Sequence, residues 1–195
     1  SGNGVSWKYV AEAHEEQQDF QKALECYDKG LKSEPNSIEL LEDKAALLTK
    51  LDKDEKALKI YDKIQRLVEE ENEDGFTMTD ISSEQEIMDS NDEVNFYYNK
   101  ALSLKKLGLY VEAYQTIEDG FRLTNSFNLD LLELKLEIFI INGNYLEGLA
   151  IVRRFQKVYG EFDKKSSSMA QLYNYEARFL SELGRYRDSK DVFDK

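Results

Sequence analysis

The feature that most constrains this chain is a period of 34 residues. Ala23 and Tyr27 recur as Ala57 and Tyr61, each inside a run of apolar residues three and four apart. That spacing is the mark of an amphipathic helix. A fixed period of this length means an array of small units. None of them buries its apolar face alone, so stacking supplies the core. A chain of 195 residues holds one sizeable domain or one long array. A single proline among 33% charged and 41% apolar residues fits long, exposed helices. Arrays of this kind bind more often than they catalyse.

Laid out along the chain, the units fall at about 4–37, 38–71, 94–127 and 129–162, with a fifth from near Ala170 that stops at Lys195. The first carries Trp7, Ala11, His14, Ala23, Tyr27, Gly30 and Pro35. The second keeps Leu41, Ala45, Leu48, Ala57 and Tyr61. The third keeps Tyr97, Ala101, Leu104, Gly108, Tyr110, Ala113 and Gly120. The fourth is weaker, with Leu136, Gly143, Tyr145 and Gly148, and the fifth has Tyr173, Ala177, Gly184 and Tyr186. Gly108, Gly143 and Gly184 stand where one helix of a pair ends, at a position suited to positive φ. The pairs Ala11 with Ala23, Ala45 with Ala57 and Ala101 with Ala113 mark close helix crossings.

This pattern resembles the tetratricopeptide repeat (TPR). Two positions of the first unit depart from it: Ala11 stands where that family prefers Gly, and His14 where it prefers Tyr. The resemblance implies an all-α fold, an α-solenoid of antiparallel helix pairs wound as a right-handed superhelix. It implies one continuous domain: a tail over 1–3, units one and two over 4–71, an insertion over 72–93, and units three to five over 94–195. Ser1-Gly2 reads as a cloning scar, and the truncated fifth unit as the sign of a fragment.

Net charge is −13, which argues against a general nucleic-acid binder. The charge is local. Between Val68 and Glu93 there are 11 acidic residues and no Lys or Arg; the remainder is close to neutral, with 28 acids and 26 bases. A solvated loop is expected there. Glu70, Asn72, Asp74 and Gly75 imitate half a calcium loop, but Ile81 stands where its closing acid belongs. Ser83 with Glu86 fits a capping box that starts a helix bearing Ile87 and Met88. Ser83 and Ser90 each precede an acid by three positions, a pattern for acid-directed phosphorylation.

By the resemblance, the first helix of each unit lines a concave groove. Twenty positions result, seven acidic and three basic. Glu12, Glu39, Glu42, Tyr98, Asp130, Glu133 and Glu137 are the expected partner-binding residues, with Tyr98 offering a flat face to a cation. The implied function is a scaffold or adaptor that docks a partner segment, basic or mixed in charge. The alternative is a structural subunit that stacks on copies of itself or on further repeats. A third reading has the acidic insertion covering basic surface such as Lys105 and Lys106. Capture of an EEVD-type chaperone tail is disfavoured. Lys8 fits such a clamp, but Glu12 and Asp43 replace its asparagines and repel a carboxylate.

Enzyme chemistry finds no foothold. The one histidine, His14, and the one cysteine, Cys26, sit among Glu12, Glu15, Glu16 and Glu25, and acids disfavour a thiolate. No phosphate-binding glycine loop occurs, and no cofactor or metal is implied. A lone cysteine favours a reducing setting, so an intracellular, cytoplasmic location is expected. No apolar run is long enough to span a membrane.

Overall fold

The computed structural model describes residues 3–73, 90–123, 128–159 and 167–193. Among them there are ten helices and no strand: α1 (Asn3–Glu16), α2 (Phe20–Ser33), α3 (Ile38–Lys50), α4 (Asp54–Glu73), α5 (Ser90–Lys106), α6 (Tyr110–Leu123), α7 (Leu129–Ile141), α8 (Tyr145–Tyr159), α9 (Ser167–Glu182) and α10 (Tyr186–Phe193). The fold is an all-α solenoid of helix pairs. No helix among the described residues is long and apolar enough to cross a membrane. The contacts divide the chain into two compact units, Ser1–Ser126 and Phe127–Lys195. In the first, α1 packs on α2, α3 on α4 and α5 on α6, while α3 also meets α2 and α5, and α4 meets α5. In the second, α8 and α10 both pack on α9, and α7 meets α8 and α9.

Each pair turns on the same device. Gly108, Gly143 and Gly184 have φ of 78°, 74° and 73°, as their sequence positions imply. Gln18 and Asp52 take the same left-handed conformation, at 60° and 54°, without being glycine. At all five turns this residue's N–H bonds to the carbonyl three back, and the next N–H to the carbonyl five back: Asp19 to His14, Lys53 to Leu48, Leu109 to Leu104, Asn144 to Phe139 and Arg185 to Leu180. These two bonds define the Schellman motif, which satisfies carbonyls left open at a helix end. Ser37 and Asn128 cap the opposite ends of α3 and α7, accepting from Leu40 and Leu131.

The small residues are where two helices must come close. Ala11, Ala23, Ala45, Ala57, Ala101 and Ala113 are all fully buried. In α9 and α10 the equivalent pair is Ala177 and Ser189, and the Ser189 hydroxyl donates to the Ala177 carbonyl at 2.8 Å. In α7 and α8 it is Leu136 and Gly148. A Cβ on Gly148 would lie 2.2 Å from the Phe179 ring, which fills the space the glycine leaves. The period also appears in side-chain bonds. Tyr27 donates to Glu15 at 2.7 Å, and 34 residues on Tyr61 meets Thr49 at 3.4 Å. Junctions between pairs repeat as well: Lys44 binds Asp28 at 2.5 Å, and Lys100 binds Asp62 at 3.4 Å in the same register. The position that holds Lys44 and Lys100 is Val10 in α1, where it is exposed.

Candidate functional site

α1, α3 and α5 are the first helices of their pairs, and they lie with like ends together. Lys8, in the first half of α1, reaches Asp43 and Glu39 in the first half of α3, at 3.3 and 3.9 Å. At the other end Thr49 of α3 bonds Ser103 of α5 at 2.9 Å, and Lys106 of α5 donates to the Thr49 carbonyl at 2.9 Å. Two clefts of about 570 and 230 Å³ open between these helices. They share Asp43, Ala46 and Asn99, so they adjoin as two parts of a groove within the first compact unit.

The floor is fixed by buried hydroxyls. Thr49 bonds the Ala45 carbonyl at 3.1 Å as well as Ser103, and Tyr61 lies within reach. Fully satisfied networks of this kind hold neighbouring side chains in one arrangement. Burial, reinforced by the Glu15 carboxylate, pushes the Tyr27 phenol well above its ordinary 10.0. Tyr27 therefore stays a donor, and Glu15 is held as its acceptor.

The walls carry charge. Glu12 and Glu15 face the larger cleft from α1, and Glu39 and Glu42 face the smaller one from α3. Burial works against the charge of Lys8, but Asp43, followed by Glu39 and Glu12, outweighs it and holds the ammonium above its ordinary 10.5. Lys50 and Lys106 line the far end of the larger cleft. Lys106 also pairs with Asp52, and the Lys50 ammonium lies over the Phe20 ring, 5.0 Å from its centre.

The residues expected from sequence are distributed as follows. Glu12 lines the larger cleft, and Glu39 and Glu42 line the smaller one. Tyr98 is on α5 but does not line either cleft; its neighbour Asn99 lines both. Asp130, Glu133 and Glu137 lie on α7, in the second compact unit. There burial, then the charges of Asp130 and Glu137, raises the Glu133 carboxyl above its ordinary 4.5. Ser83, its capping box and most of the half-matched calcium loop lie outside the described residues. Ser90 is the first residue of α5. Sequence reasoning left Asp43, Asn99, Lys50 and Lys106 out of the partner-binding set. Asp43 and Asn99 follow Glu39 and Asn95 by four residues, and that helical spacing was the available signal.

This arrangement of stacked helix pairs is that of a helical repeat array. The family model for the tetratricopeptide repeat matches residues 5–47. Sequence comparison with curated proteins gives no match. Among solved structures, the MamA protein superposes with a TM-score of 0.72 at 13% identity, over 99% of this chain and 89% of that one. A tetratricopeptide repeat protein from Parabacteroides merdae gives 0.70 at 20% identity, over 99% of this chain but 64% of its own length. The nearly identical TPR-like repeats assigned to a kinesin light chain of Podosopora anserina give 0.75 at 10% identity, over 97% and 91%. At these identities the likeness concerns the fold. Folds of this family are generally protein-interaction scaffolds and typically not enzymes.

Proposed function

We propose that the chain is an interaction scaffold that docks a segment of a partner protein in the α1–α3–α5 groove, and that Glu12, Glu39 and Glu42 favour a segment bearing Lys or Arg. The observation that carries this reading is the groove itself: adjoining clefts of about 570 and 230 Å³ walled by carboxylates from two helices. Opposite charge on the partner speeds encounter and rejects acidic competitors more than it adds affinity. The test is a titration of the full chain with two fluorescent peptides of one apolar backbone, one lysine-bearing and one glutamate-bearing, at low and high salt. The basic peptide should bind, weaken with salt, and weaken further on the double substitution Glu12→Gln and Glu42→Gln. Equal binding of both peptides, or indifference to the substitutions, would remove the groove acids from the function.

A further inference from the structure

We infer that the groove selects a segment of mixed charge, with a basic group and an acidic group separated by a short apolar stretch. This rests on the docking proposal and specifies the partner's chemistry. The groove is not uniformly acidic. Its carboxylates are Glu12 and Glu15 on α1 and Glu39, Glu42 and Asp43 in the first half of α3; Asp43 is held by Lys8, and Glu15, level with Thr49, accepts from the Tyr27 phenol at 2.7 Å. Its far end, where α3 and α5 finish, carries two lysines, Lys50 and Lys106, against the one carboxylate of Glu15. Neither lysine is consumed by its present contacts. Among the described residues Lys50 has no carboxylate partner, only the Phe20 ring. Lys106 uses two of its three N–H groups, on Thr49 and Asp52. Lys8, by contrast, is already matched by Asp43 and Glu39, so the start of the groove offers a partner acid rather than base.

The middle is chemically different. Ala46 and Leu102 give it an apolar lining. Asn99 is half-buried there, and its carboxamide makes no hydrogen bond among the described residues. A primary amide offers both donors and an acceptor, which is what one peptide group of an extended chain requires. The spacing sets the length. Glu42 and Lys50 are eight residues apart on α3, or about 12 Å at 1.5 Å per residue. An extended chain rising about 3.3 Å per residue covers that in roughly four positions. The occupant is therefore an extended segment of the form base, three mostly small apolar residues, acid, read in one chain direction.

The probes are four capped pentapeptides, KALAE, EALAK, KALAK and EALAE, titrated to millimolar concentration into the full chain and followed by the Asn99 side-chain amide resonances. One of the two mixed peptides should bind at least about fivefold tighter than KALAK, although KALAK is favoured by the protein's overall negative charge. Lys50→Glu should invert that order, and Glu42→Lys should shift preference toward EALAE. Both substitutions are at exposed or half-exposed sites, and an unchanged melting temperature separates lost recognition from lost folding. If KALAK binds as well as either mixed peptide and Lys50→Glu changes nothing, mixed-charge selection is wrong while the acidic docking reading stands. If no peptide moves the Asn99 resonances, both are wrong.

Discussion

Glycine and its absence decide the turns. A left-handed conformation costs an L-residue roughly 1–2 kcal/mol, less for Asp. Gln18 bears that cost because the turn it makes closes two backbone bonds at the end of α1. Gln18→Gly should therefore raise stability by about 0.5–1 kcal/mol, read as a shift in the denaturant midpoint at constant slope. Asp52→Gly should gain less, since it also removes the partner of Lys106. The sequence announced Gly108, Gly143 and Gly184 as turns, but it was silent at Gln18 and Asp52, because nothing in those side chains signals positive φ. Gly148 makes the opposite case. It is helical, and alanine there would gain up to about 1 kcal/mol of helix propensity. The Phe179 ring, fully buried and 2.2 Å from the new methyl, cannot withdraw into solvent. Overpacking costs about 1–3 kcal/mol, so Gly148→Ala should lower the melting temperature despite its better propensity. A gain would mean that the ring has room to move.

At the level of helices, the alanine pairs set how closely two elements approach, and they were legible because they recur twelve residues apart in three units. Ala57→Leu should cost about 1–3 kcal/mol by forcing α3 and α4 apart; an unchanged melting temperature would contradict the crossing assigned to it. The fourth pair was harder to read, since Leu136 and Gly148 reverse the sizes and the space is completed by Phe179 from a different helix. The groove was legible in part for a similar reason. Glu12, Glu39 and Glu42 were found by register on the first helices, whereas the choice of Asn99 over Tyr98 depends on a helix rotation of about 100° that a repeat pattern does not resolve. On α7, Asp130, Glu133 and Glu137 occupy one face, three and four residues apart. The Glu133 carboxyl is raised, so the folded state holds that proton more tightly than the unfolded chain does. Its contribution is complete below the ordinary 4.5 and is lost as pH rises through the raised folded value. Glu133→Gln should thus raise the melting temperature at pH 7 and make no difference at pH 4. An equal effect at both pH values would attribute it to packing instead.

For the molecule as a whole, the question is how much of the chain the groove needs. Its lining runs from Lys8 to Lys106, entirely inside the compact unit Ser1–Ser126. That unit has its own core, built from Ala11, Leu24, Tyr27, Leu40, Leu47, Tyr61 and their neighbours. Stability in a repeat array is roughly a sum of unit and nearest-neighbour terms. Removing later pairs should therefore lower it without dissolving the earlier ones. The seven residues expected from sequence included three on α7, and a groove needing all seven would not survive loss of the second unit. A chain ending at Ser126 should keep the helical circular dichroism expected for α1 to α6. It should also bind the lysine-bearing peptide with a dissociation constant within about twofold of the full chain's. Retained helicity with a loss of about tenfold or more in affinity would assign Asp130, Glu133 and Glu137 to the same binding event.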